Sequence, residues 1–185
     1  MIEGLLIALL VAKIRKYKLA PLFKEWTTYP VLVLALIYLY MNFSISQGNT
    51  FFIKYASVYK IVLVLIFGLM IIKYNLYKAG FLSAALIVVG GILNNLVIKA
   101  NGDRMPVFPS LSYKTGYMTH ETFKNLENID SLHTQGSSAS KLAFLGDWID
   151  VGYTIMSIGD LFIMSFVFVI IYSSIKHLNK CSSKN

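Results

Sequence analysis

Apolar positions along this chain come in long runs rather than in stripes. A bilayer core needs about 20 mostly apolar residues to be crossed as helix. Four stretches reach that length, at 29–46, 55–72, 79–99 and 155–175, and a shorter fifth run occupies 1–12. Polar residues fall between the runs, and one interval is neither apolar nor short: 100–154. Backbone polar groups at bilayer depth must be satisfied internally, which favours helices. The pattern therefore predicts an all-α, polytopic helical membrane protein. It reads as a single integral membrane domain over 1–185, with about five transmembrane helices and one long external loop.

Charge order sets the orientation. A signal peptide carries its basic residues ahead of the apolar run. Here Glu3 precedes 1–12 and Lys13, Arg15, Lys16 and Lys18 follow it. That is a stop-transfer order, and it predicts an uncleaved short span with the N-terminus outside. Five spans then leave 13–28, 73–78 and 176–185 on the cytoplasmic side. These segments hold ten of the 17 basic residues (Lys13, Arg15, Lys16, Lys18, Lys24, Lys73, Lys78, Lys176, Lys180 and Lys184) and one of the nine acids, Glu25. This is the positive-inside bias. The expected location is the cell membrane, multi-pass, with a cytoplasmic C-terminus. Tyr17, Trp26, Tyr29, Tyr74 and Tyr77 mark the inner boundaries, and Trp148 and Tyr153 the outer one, as an aromatic belt would.

Composition narrows the class. Hydrophobic residues make up 56% of the chain and charged ones 14%, with mean hydropathy +0.63. An ordinary soluble domain carries nearly twice that charge, and a disordered chain far fewer apolar residues. The net charge of +8 is accounted for by orientation, so no nucleic-acid partner is expected. The single cysteine, Cys181, rules out an internal disulfide, a Cys-ligated zinc site and a C-x-x-C motif. It reads as an inert tail thiol or a juxtamembrane palmitoylation position. No nucleophile elbow, Walker loop, zincin helix or dinucleotide fingerprint occurs.

Polar side chains inside a span are the first place to look for function, and here they gather at one depth. Asn94, Asn95 and Lys99 lie in the outer half of the fourth span, and Asn101, Gly102, Asp103 and Arg104 follow at once. Asp147 and Asp150 precede the last span, and Ser157 and Asp160 open it. Asn94 and Asn101 share one helical face, Asn95 and Lys99 another. Gly90 and Gly91 would admit a close neighbouring helix. Asp147 and Asp160 are the candidate catalytic carboxylates, able to act as base and acid. They are equally the candidate ligands for Mg²⁺ or Ca²⁺, with carbonyl oxygens from Asn94 and Asn101. Lys99 and Arg104, with Gly102 and Ser157 near them, would take an anionic head group. Each feature also has a structural reading. The asparagines would bond neighbouring helices, and Asp160 would pair with Lys99 or Arg104. Asp150, His120 and His133 would be solvated loop residues. Within the loop, Thr119 reads as a helix cap with Glu121 in the first turn and Phe123 and Leu126 on one face. Gln135–Ser140 reads as flexible, and 141–150 suits a membrane surface.

Three motifs in order, Leu93–Val107 (LNNLVIKANGDRMPV), Leu142–Ile149 (LAFLGDWI) and Ser157–Asp160 (SIGD), resemble a bacterial membrane family catalogued as domain of unknown function 5317. The short first span, the basic cluster after it and the long loop are also similar. The resemblance implies that Asn94 is the family's intramembrane asparagine and that Asn101, Gly102, Met105 and Pro106 form its N-G-G-x-M-P turn. It implies that Gly146 and Asp147 are a first G-D pair and Gly159 and Asp160 a second. The chain departs at Asp103, where the family usually has glycine. The family brings no reaction with it. Three readings stay open: an outer-leaflet site for a lipid, lipid-linked or small anionic or metal ligand, catalytic or not; an accessory or sensor subunit acting through a protein partner; and a small transporter.

Overall fold

The computed structural model describes residues 1–47, 49, 51–52, 55–129 and 132–182, with side chains at all of these except 46, 56, 57 and 125–129. Among the described residues the elements run α1 Ile2–Ile14, α2 Ala20–Lys24, α3 Thr28–Ser46, α4 Ala56–Lys73, α5 Tyr77–Ala100, β1 Met105–Val107, α6 Leu111–Lys114, α7 His120–Ile129, β2 His133–Gln135, a short 3-10 turn Ala143–Leu145, β3 Ile149–Asp150, β4 Ile155–Met156 and α8 Ile158–Ser182. Lys184 and the side chain of Leu126 lie outside the described residues.

Among the described residues three helices are long and apolar enough to cross a membrane, over Thr28–Ile45, Tyr77–Ala100 and Ile158–Ser182. About five were expected. α1 has 13 residues, a length of about 20 Å at 1.5 Å per residue, and α4 has 18. Only 28%, 17% and 39% of the three apolar windows is buried. Their remaining apolar side chains point outward, Phe81 and Leu36 among them. Soluble monomers do not carry apolar surface on that scale, and it suits a membrane protein.

The chain divides into two units. The first takes 1–39, 55–87 and the chain from Met164 onward. Gly4, Ala8 and Ala12 repeat every four residues, so they form one face of α1. A Cβ on Gly4 would lie 3.0 Å from the Met164 carbonyl and 3.2 Å from Val167, so this face packs directly on α8. Around it lie Leu22, Val31, Phe67, Met70, Val167, Ile170, Ile171 and Ile175, all at or below 1% exposure. Phe67 and Phe166 meet edge to face at 5.1 Å between ring centres.

One edge of this unit collects the basic segments. The Lys18 amide donates to Asn179 Oδ1 at 2.8 Å, and Asn179 Nδ2 donates to the Lys18 carbonyl at 2.9 Å. Glu25 pairs with Lys73. The Thr27 and Tyr74 hydroxyls share a hydrogen bond at 2.8 Å, and the Tyr74 ring lies against His177. So 13–28, 73–78 and the end of α8, grouped by charge alone in the sequence, adjoin one another.

The second unit takes 40–54 and 88–163. β1 pairs in parallel with β2, Met105 opposite His133. Asp147 bridges to Val107 on the other edge of β1. Its amide donates to the Pro106 carbonyl at 3.0 Å, and the Phe108 amide donates to its carbonyl at 2.8 Å. A Cβ on Gly146 would sit 2.8 Å from that Pro106 oxygen, so the approach needs glycine there. β3 and β4 form an antiparallel hairpin. A purely helical chain was expected; buried backbone groups in a long loop need partners, and short strands supply them. Gln135–Ser140 is fastened rather than loose: Gln135 belongs to β2, and the Gly136 amide donates to the Val107 carbonyl at 2.8 Å. Thr119 caps α7 as expected, its hydroxyl accepting the Thr122 amide at 3.0 Å, and Phe123 is buried.

Candidate functional site

The site begins with a contact between two glycines. A Cβ on Gly90 of α5 would lie 2.3 Å from the Gly159 carbonyl, and one on Gly159 of α8 would lie 2.7 Å from the Gly90 carbonyl. Only glycine at both positions lets the backbones meet so closely. Gly91 has open space and is not needed for it. One turn further along α5, this approach delivers Asn94 to the start of α8.

There the S-x-x-D sequence forms a capping box. The Asp160 amide donates to Ser157 Oγ at 2.9 Å, and the Ser157 amide donates to Asp160 Oδ2 at 3.0 Å. Asn94 closes the network. Its Nδ2 donates to Asp160 Oδ1 at 2.9 Å, and its Oδ1 accepts the Ser157 hydroxyl at 2.8 Å. Both oxygens of Asp160 thus hold partners. Its expected pairing with Lys99 or Arg104 is replaced by Asn94 and by its own helix cap.

The end of α5 explains the N-G-D sequence. The Asp103 amide donates to the Ile98 carbonyl at 3.0 Å, with Gly102 at φ +68, the geometry of a Schellman stop. Asp103 also has φ +63. Both positions favour glycine, and Asp is among the few side chains that tolerate this region. Lys99 pairs with Asp103 in solvent at 2.5 Å. Asn101 clamps residue 141: its Oδ1 accepts the Lys141 amide and its Nδ2 donates to the Lys141 carbonyl, both at 2.8 Å. Arg104 is exposed, while Met105 and Pro106 are buried in β1. The carbonyl oxygens of Asn94 and Asn101, expected around Mg²⁺ or Ca²⁺, already accept hydrogen bonds. Among the described residues no three His, Cys, Asp or Glu side chains converge as a metal site.

Asp147 differs from all of these. It is 6% exposed. Its Oδ1 has no hydrogen-bond partner among the described residues, and its Oδ2 lies 3.6 Å from His133 Nε2. Burial, seconded by the Asp160 charge and opposed by His133, pushes its carboxyl up to about 7. Such a group exchanges a proton near neutral pH and lacks a donor on one oxygen. Phe144 and Trp148 flank it along the chain, both exposed, with the indole Nε1 donating to the Phe144 carbonyl at 2.7 Å.

Two residues read as solvated loop are structural or site residues instead. His133 faces Asp147, a placement that only the parallel β1–β2 register produces. Asp150 is saturated: Oδ2 accepts the Ser110 and Ser112 amides at 2.7 and 2.8 Å, and Oδ1 accepts the Ser112 hydroxyl at 2.6 Å and the Gly152 amide at 2.9 Å. Burial raises its carboxyl, but these donors outweigh burial and hold it below the ordinary range. Local sequence carried no sign of either role. The third, His120, lies with its ring 4.3 Å from that of Tyr113. No curated protein and no solved structure matches the chain. A family model does match, over residues 20–172, and it takes in the Asn94 brace, the N-G-D turn and both G-D pairs: the chain belongs to the family of unknown function DUF5317.

Proposed function

We propose that this membrane protein binds a lipid or lipid-linked ligand through Asp147, with His133 beside it, and that Asn94, Ser157 and Asp160 brace the site without taking part in chemistry. The observation that carries the reading is the buried Asp147 carboxyl with one oxygen lacking a donor. A ligand hydroxyl or amine would supply that donor. The exposed Phe144 and Trp148 suit a headgroup-level surface beside it. Binding is favoured over acid–base catalysis because the second carboxylate, Asp160, has both oxygens engaged.

The topology that goes with this reading has five spans in the cell membrane, α1 and α4 included, the N-terminus outside, the loop outside and the C-terminus cytoplasmic. The Glu25–Lys73 and Thr27–Tyr74 contacts support α4 as a span, because they bring the end of α4 back to the start of α3. The alternative, a platform for a protein partner, is favoured by the saturated bracing of Asn101 and Asp150.

Native mass spectrometry of the purified protein separates the two. A co-purified lipid-sized mass in the wild type, lost in Asp147→Asn while melting is undiminished, is the expected result. The same mass retained in Asp147→Asn, or no mass in the wild type, would overturn the ligand reading.

A further inference from the structure

A second site lies in the first unit, at the basic edge. A cavity of about 600 Å³ opens between the start of α5 and the end of α8. Lys78, Lys176 and Lys180 line it, with His177, Tyr77 and Asn75. Among the described residues no carboxylate lines it, and Lys78 and Lys176 have no carboxylate partner; the nearby Glu25 is taken by Lys73. The Lys78 and Lys176 ammonium groups, held at one hollow, repel one another unless an anion enters. The volume is that of a small-molecule site.

Depth narrows the anion. The apolar runs of α5 and α8 begin and end at this cavity, since Tyr77 opens α5 and Lys176 follows the buried Ile175 of α8. A phosphate seated among these lysines would sit at the level where the apolar surface stops, with acyl chains free to run along exposed Phe81 and Leu82. We propose that this cavity binds the phosphate of an acidic phospholipid headgroup, as basic pockets between membrane helices do. The site shares no residue with the Asp147 site and does not rest on it.

The test uses the full chain in detergent, titrated with dioctanoyl phosphatidylglycerol, dioctanoyl phosphatidylcholine and inorganic phosphate and read by native mass spectrometry. Phosphatidylglycerol should bind and phosphatidylcholine should not. Each of Lys78→Gln and Lys176→Gln should weaken binding roughly fivefold, and the pair about 25-fold. The Arg replacements should retain it, and Lys13→Gln and Asp147→Asn should leave it unchanged. Displacement of the lipid by millimolar phosphate would keep the phosphate chemistry and assign the source to free phosphate; failure to displace assigns it to lipid. Equal binding of the two lipids, or undiminished binding in a folded Lys78→Gln/Lys176→Gln variant, would overturn the proposal.

Discussion

Asp147 and Asp150 stand three residues apart in the same loop and meet opposite fates. Asp150 faces three backbone amides and a hydroxyl and is held charged. Asp147 is more deeply buried, has one oxygen without a donor among the described residues, and is pushed towards the neutral form. The same side chain is a fastening in one place and a poised, unsatisfied group in the other. Donor count decides between them: a buried carboxylate that lacks donors protonates, and one that has them stays ionised. Asp160 is likewise a fastening: Asn94 and the Ser157 amide occupy both its oxygens.

The largest effect expected from this contrast is a pH dependence at Asp147. Its carboxyl stands at about 7 in the folded chain against an ordinary value of 3.8. The folded chain therefore keeps a proton that the unfolded chain releases above about pH 4. Stability present in acid is lost as pH rises through that window, by roughly 4 kcal/mol in all. Asp147→Asn removes this slope, so its melting temperature should exceed that of the wild type above pH 7. A variant less stable than the wild type at pH 8 would show that Asp147 is a fastening after all.

Asp150 carries the opposite sign. Its lowered value stabilises the fold above the ordinary carboxylate range, and that contribution disappears as the solution is acidified through it. Asp150→Ala leaves its donors unpaired and should cost about 3 kcal/mol. Hydrogen exchange at Ser112 and Gly152 would then accelerate, whereas Asp147→Asn should leave those amides protected.

A third test attacks the brace rather than the acids. Gly90→Ala places a methyl 2.3 Å from the Gly159 carbonyl and should cost about 2 kcal/mol by forcing the helices apart. Thermal melting reads the cost. Asn94 would be drawn away from Asp160, so the amide signal of Ser157 should shift while that of Ser112 stays in place. The smallest effect is expected at Asp103, whose φ is +63. Asp103→Gly relieves a strained backbone and loses only an exposed ion pair with Lys99. A gain of about 0.5 kcal/mol in a denaturant melt is expected once the added freedom of the unfolded glycine is counted.

Some of the site is legible in the sequence alone. Asn94, Ser157 and Asp160 gathered at one depth because polar residues in apolar runs stand out, and Gly90 marked where two helices would touch. Asn101-Gly102 reads as a turn, and α5 stops just before it; Thr119 reads as the cap of α7. The sequence suggests a working carboxylate at Asp160, and the structure gives it a cap. An S-x-x-D at a helix start carries that reading in its spacing, so the signal was present and the chemistry of two nearby acids outweighed it. His133 and Asp150 had no such signal. Ser112 lies 38 residues from Asp150, and nothing local to either reports the other.

By itself the sequence determined what depends on neighbours along the chain: apolar runs of membrane length, the clustering of basic residues into segments that adjoin, and the caps and stops of helices. These follow from hydropathy, charge and backbone preference, which act over a few residues. Only the tertiary structure decided which acid is satisfied and which is not, because that turns on the register of β1 with β2 and on the pairing of Asp147 with β1. Parallel pairing joins segments whose separation leaves no periodic trace, and donor count at a buried oxygen exists only once those segments have met.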